Sequence, residues 1–142
     1  MLVSTKGRYA LRLMTRIARD GSGSPMTLRI VSEEENISLK YLEQLVRPLL
    51  QAGLLASIRG KSGGYVLTKP AEDISAGDVL RAVEGTTSTV HCAALEEGQA
   101  CPREEQCPTV GFWAGLNQTV ERYVDSVSIA DLANEKDAHS WE

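Results

Sequence analysis

A helix that stops at a glycine and turns at once into a glycine-tipped hairpin constrains this chain more than any other feature. It occupies residues 38–67, SLKYLEQLVRPLLQAGLLASIRGKSGGYVL. Ser38 is placed to cap the helix, its hydroxyl accepting a backbone N–H that has no partner inside the first turn. Leu39, Leu42, Val46, Leu49 and Leu50 recur at spacings of three and four and so make one apolar face. Lys40, Tyr41, Glu43, Gln44 and Arg47 fill the rest with donors and acceptors long enough to reach base edges or phosphates. Gly53 suits the left-handed position just past a helix end. Pro48 predicts a bend or an early stop, because an interior proline costs about 3 kcal/mol or kinks the helix.

Beyond Gly53, Leu55–Arg59 and Tyr65–Thr68 are strand candidates separated by Gly60, Lys61, Ser62, Gly63 and Gly64. Glycines at a hairpin tip permit positive φ and close approach to a sugar–phosphate backbone. Arg59 and Lys61 set two cations beside that tip. Gly60-Lys61-Ser62 spells the end of a phosphate-binding Walker A loop, but that motif requires glycine where Leu55 stands and a helix where a strand follows. An ordinary surface turn is the plain alternative. The order helix, glycine stop and hairpin reads instead as a recognition helix followed by a wing, a device for holding duplex DNA. Its candidate contacts are Ser38, Lys40, Tyr41, Glu43 and Gln44 on the helix, with Arg59, Lys61, Gly63 and Gly64 on the wing.

Charge is divided in the same sense. Residues 1–70 carry 11 Lys and Arg against 5 Asp and Glu, a net +6, whereas residues 71–142 carry 4 against 14, a net −10. The overall −4 thus conceals a basic half of the kind a duplex binder needs. Arg8, Arg12, Arg16 and Arg19 run along a first helix opposite Ala10, Leu13, Met14 and Ile17. That stripe fits phosphate contact or a solvated basic face equally well.

The chain is expected to be mainly α: a winged helix-turn-helix domain over residues 1–85, a cysteine-bearing loop over 86–108, and a dimerisation helix with a short following helix over 109–133. Helix 1 is expected at about 5–19 and helix 2 at about 27–35. Ser75 and Asp78 form a capping box for a fourth helix reaching Glu84, with Ile74 and Val79 as its hydrophobic staple and Gly85 as its stop. The long helix after Pro108 should reach about Ser126, and residues 134–142 should fray. Trp113, Leu116, Val120, Tyr123 and Val127 follow a 3-4-3-4 spacing, which suits either packing on the helix's own domain or crossing a symmetry mate. The second arrangement would let two recognition helices read major-groove faces one helical turn apart. No apolar run approaches 18 residues and no signal-peptide core is present, which predicts a cytoplasmic protein without membrane contact.

All three cysteines, Cys92, Cys101 and Cys107, fall in one loop with the pattern Cys-x8-Cys-x5-Cys. An odd count argues against a disulfide scaffold. Three thiolates on a flexible loop can close around a soft metal centre. Structural zinc wants four ligands, often in C-x2-4-C pairs, whereas iron–sulfur ligation tolerates wider spacing and a fourth ligand other than cysteine. Three unligated cysteines are the remaining reading.

Taken together, STKGRYALR (4–12), ISLKYLEQL (37–45), AGLLASIRGKSGGYVL (52–67), the three-cysteine loop and the long helix after it resemble the IscR-type iron–sulfur cluster regulators. These belong to a wider family of bacterial winged helix-turn-helix repressors with NsrR and CymR relatives. The resemblance runs from residue 1 to about 127. It implies a homodimer on double-stranded promoter DNA, with an iron–sulfur cluster in each subunit held by Cys92, Cys101 and Cys107. Loss, oxidation or nitrosylation of that cluster would then change DNA affinity. It also places Tyr41, Glu43 and Gln44 on the matching recognition helix, with base reading by Glu43 and Gln44, and implies minor-groove or phosphate contact by Arg59. Two positions depart from the pattern: Val110 stands where IscR has a histidine, and Arg8 where NsrR-like proteins have an aspartate. The first cysteine gap is also wider than in IscR. The fourth ligand is therefore open, His91 being the nearest nitrogen and Glu96, Glu97, Glu104 and Glu105 the nearby carboxylates. A 2Fe–2S cluster is favoured over 4Fe–4S because the aspartate is missing. The alternative is a cluster-free repressor switched by thiol oxidation or by a protein partner. No acid–base pair, nucleophile elbow or nucleotide loop supports an enzyme.

Overall fold

The computed structural model describes residues 3–90, 92 and 101–135. His91, Glu96, Glu97 and most of the expected frayed tail lie outside these described residues. The elements in chain order are α1 (Thr5–Asp20), α2 (Leu28–Glu35), α3 (Leu39–Gln51), β1 (Leu55–Ile58), β2 (Gly64–Leu67), α4 (Ala76–Glu84), α5 (Val110–Ser126) and α6 (Ile129–Asn134). This is the winged-helix architecture, helical with a single two-stranded antiparallel hairpin among the described residues.

Each helix begins where local chemistry lets it. Ser4, Thr27, Ser38, Ser75 and Ser128 stand immediately before five of the six helices, and each accepts a first-turn N–H through its side-chain oxygen. Ser75 with Asp78, and Ser128 with Asp131, close complete capping boxes. Pro48 neither ends nor shortens α3, which continues to Gln51. Leu45, Val46 and Leu49 flank it and are all buried. Apolar burial of about 1.5–3 kcal/mol per side chain outweighs one proline's penalty.

The core joins α1, α2, α3, α4 and α6. Leu13, Met14, Val31, Leu42, Leu49, Val79 and Ile129 are all inaccessible to solvent within one cluster. Ile129 arrives from the far end of the chain. Its N–H donates to the Ile74 carbonyl at 2.8 Å, while the Ala76 N–H donates to the Val127 carbonyl at 2.8 Å. The segment after α5 thereby pairs with the segment before α4, and α6 packs on α1. A boundary at residue 85 does not enclose this core.

Candidate nucleic-acid interface and cysteine loop

The outward face of α3 is assembled by the inward one. With Leu42, Leu45, Val46 and Leu49 buried, helical periodicity turns Lys40, Glu43, Gln44 and Arg47 to solvent, and all four are exposed. Ser38 is exposed too, but its hydroxyl is occupied by the Tyr41 N–H at 3.2 Å. Tyr41 is half-buried, with its ring edge-on to Tyr9 and the centroids 5.7 Å apart. Leu39, placed on the apolar face by its spacing, is 43% exposed because it precedes the turn that meets the core.

The wing pairs Leu55 with Leu67 and Ile58 with Gly64, leaving Arg59–Gly63 as its tip. Arg59 and Lys61 are exposed there, and neither joins an ion pair among the described residues. The glycines have an internal explanation. A Cβ at Gly63 would collide with the Ile58 carbonyl across the turn. Gly64, at φ 148°, lies so close to Met26 that a Cβ would sit 2.5 Å from the Met26 carbonyl oxygen. That approach permits the paired bonds Met26 N–H to Tyr65 O (3.0 Å) and Tyr65 N–H to Met26 O (2.9 Å), which tie the wing to the loop before α2.

The α1 arginines are largely committed within the fold. Arg12 pairs with Glu35 at 3.1 Å, Arg16 pairs with Glu34, and Arg19 donates to the Ala133 and Glu135 carbonyls at 3.1 and 2.7 Å. Lys40 and Arg47 of α3 and Arg59 and Lys61 of the wing are exposed and join no ion pair among the described residues, as is also true of Lys6, Arg8, Arg29 and Lys69. Replacing Arg59 with Ala is expected to weaken duplex binding across sequences and to lower the salt slope by about one phosphate contact. Anisotropy titrations over a range of salt concentrations read this directly, and an unchanged slope would remove Arg59 from the interface.

Cys92, Cys101 and Cys107 are free thiols, each partly accessible. The Cys107 sulfur lies 3.4 Å from the Thr109 hydroxyl, just before α5 begins. That hydroxyl, the Thr109 and Val110 backbone groups and the positive charge of Arg103 lower the thiol's pKa from its ordinary value, against the opposing effect of burial. The donor chemistry suits a soft iron–sulfur centre. The placement does not yet form its ligand shell: among the described residues, no three His, Cys, Asp or Glu side chains converge as a metal site. Glu104 and Glu105 are exposed in a short turn.

Helix α5 presents two opposed faces. Asn117, Glu121 and Asp125 bond to the protein's own residues, whereas Phe112, Leu116 and Tyr123 are 64%, 36% and 67% exposed. The heptad spacing missed Phe112, and three of its members, Trp113, Val120 and Val127, are half-buried instead.

The Rrf2 family, described as iron-dependent transcriptional regulators, matches residues 3–135. This chain belongs to the Rrf2 family. It is 40% identical over 137 residues to the HTH-type transcriptional regulator CymR of Bacillus subtilis, covering 96% of this chain and 93% of that protein. It is 36% identical to the HTH-type transcriptional regulator IscR of Serratia proteamaculans over 137 residues, 96% of this chain and 82% of that one. The solved structure of CymR, the global cysteine regulator of B. subtilis, superimposes with a TM-score of 0.78 at 38% identity, covering 96% and 99% of the two chains. This Rrf2 member is accordingly a DNA-binding transcription regulator and not an enzyme. Among the described residues no helix is long and apolar enough to cross a membrane.

Proposed function

We infer that this Rrf2 regulator works as a homodimer on double-stranded promoter DNA in the bacterial cytoplasm, and that the state of its cysteine loop sets the grip. The observation that carries this is the set of cations displayed on the recognition helix and wing: Lys40, Arg47, Arg59 and Lys61 stand exposed and without an ion pair among the described residues, whereas Arg12, Arg16 and Arg19 of α1 are tied up internally. In this reading Glu43 accepts from a cytosine amino group and Gln44 pairs with adenine. Ser38, Lys40 and Lys61 hold phosphates, and Arg59 enters the minor groove or holds a phosphate. Tyr41 orients the reading helix through its contact with Tyr9. Gly63 and Gly64 give the wing its tight tip.

At the loop, an iron–sulfur cluster held by Cys92, Cys101 and Cys107 is the first reading, 2Fe–2S ahead of 4Fe–4S, with the fourth ligand unassigned. The thiol donor set, the iron-dependent family and the similarity to IscR support it. When bound, such a cluster supplies one-electron redox chemistry and sensitivity to oxidants. The second reading is a cluster-free switch working by thiol oxidation or a partner protein. It is favoured by the unconverged thiols, by the lowered Cys107 pKa and by the similarity to CymR.

Anaerobic purification followed by iron and acid-labile sulfide assays and DNA-shift titrations separates the readings. Coloured protein with iron and sulfide, whose DNA affinity changes when the cluster is removed, is the expected result. Colourless, iron-free protein whose affinity responds to thiol oxidation selects the second reading. Absence of salt-sensitive binding to any duplex in either state rejects both. Changing all three cysteines to Ser is expected to abolish the response while leaving the winged core's thermal transition in place, since no cysteine belongs to that core.

A further inference from the structure

The polar face of α5 raises a question that neither dimerisation nor cysteine chemistry answers. Its residues come at four-residue steps, and each grips a different part of the chain leading from α4 to Cys92. The Asn117 carboxamide oxygen accepts from the Thr89 backbone N–H at 2.7 Å and from the Thr89 hydroxyl, while its amide donates to the Ser88 hydroxyl at 3.3 Å. Ser88 in turn donates to the Val90 carbonyl at 2.8 Å, two residues before Cys92. One turn further on, Glu121 accepts from Thr87 at 3.4 Å, and Thr87 is only 2% exposed. Another turn on, Asp125 pairs with Arg81 of α4.

We propose that Asn117 is a positioning residue that couples the Cys92 arm of the loop to α5, so that a change of state at the cysteines is passed to the helix as a whole. This rests on the reading of the loop as the seat of control. Both polar ends of the Asn117 side chain are engaged by two consecutive residues of the arm, so the arm cannot shift without dragging the helix or breaking at least two hydrogen bonds. The other arm is continuous with α5, because Cys107 bonds Thr109 immediately before the first turn. The two arms therefore hold α5 at points eight residues apart, about 12 Å along the axis at 1.5 Å per residue. Any event that draws Cys92 and Cys107 together loads the helix between those points. Asp125 anchors its lower half to Arg81 of α4, and Glu121 to the buried Thr87 just beyond that helix; both resist, which turns a local contraction into a tilt. Side chains 112, 116 and 123 lie roughly on the opposite side of the same helix, at about 100° per residue, and move with it.

The test has two readouts. In the intact protein, loop state is expected to change DNA affinity by about 5- to 150-fold, the ordinary range for coupled sites. Asn117→Ala, a substitution that a helix interior favours, should collapse this ratio towards one while thiol titre and dimer mass stay the same. Thr89→Ala should produce a loss that does not add to it. Separately, in a chain carrying Cys101→Ser, Cys107→Ser and Trp141→Phe, alkylating Cys92 with iodoacetamide should shift the emission of Trp113 when Asn117 is present and leave it unmoved in Asn117→Ala. An Asn117→Ala protein that keeps both the affinity ratio and the emission shift overturns the coupling, as do additive losses with Thr89→Ala. If the intact protein shows no affinity ratio yet retains an Asn117-dependent emission shift, the regulatory reading of the loop falls and the coupling stands. If the intact protein shows neither, both fall.

Discussion

Replacing Ile129 with Ala is expected to destabilise the protein by about 2–5 kcal/mol, the range for deleting a fully buried aliphatic side chain. A domain of this size holds only about 5–15 kcal/mol in total, so the variant would lose a large fraction of its stability. Ile129 has no solvent exposure and shares one cluster with Leu13, Met14, Ile74 and Val79. Its backbone is pinned as well, by the 2.8 Å bond to Ile74, so the surrounding chain has little freedom to collapse into the space left behind. Ile129→Val should cost only about 0.5–1.5 kcal/mol. Urea unfolding followed by far-UV circular dichroism measures both. A loss below about 1 kcal/mol for the alanine variant, under the range for a buried aliphatic deletion, would show that α6 is an accessory rather than a part of the DNA-binding core.

Introducing charge into the outer face of α5, as Leu116→Glu with Tyr123→Glu, is expected to convert the proposed homodimer to monomers. It should also weaken binding to a two-half-site duplex by about 100-fold or more, the usual size of the avidity term. Phe112, Leu116 and Tyr123 form an exposed apolar stripe along this helix, with Phe112 stacked edge-on against Trp113 at 4.8 Å. An isolated chain gains nothing by presenting such a stripe to water, whereas a two-fold mate buries it against itself. The charges lie away from Asn117, Glu121 and Asp125, so the attachment of α5 to its own domain should survive. Light scattering gives the mass and anisotropy the affinity. A variant that keeps the dimer mass would move the interface elsewhere on the molecule.

Much of this molecule could be read from the chain because its signals are local. Ser38, Gly53, Ser75 with Asp78, and Gly85 act within four residues of themselves, and each does in the fold what its chemistry predicts. The staple of Ile74 and Val79 likewise became two fully buried side chains. The failures share the opposite property. Arg12 and Arg16 look free until α2 brings Glu35 and Glu34 beside them, a contact spanning 23 and 18 residues. Ile129 is a single apolar residue in a six-residue helix, too short to show periodicity, so nothing local marks it as core. Gly63 and Gly64 signalled close approach, and within the chain the backbones they approach are those of Ile58 and, far off in sequence, Met26. The cysteines advertised their chemistry through residue type, while the geometry that would tell cluster from thiol switch depends on where three distant sulfurs meet.

The two bonds between Met26 and Tyr65, together with the Thr68 hydroxyl held by the Gly53 carbonyl and the Thr68 N–H held by Leu54, give the wing a base riveted on both legs. Its separation from α3 is then a property of the folded chain, as the jaw width is of a fixed calliper. A duplex whose grooves do not match that gauge has to supply the adjustment by bending or by changing groove width. Stretches of operator that touch no side chain would then still be selected, for how cheaply they deform.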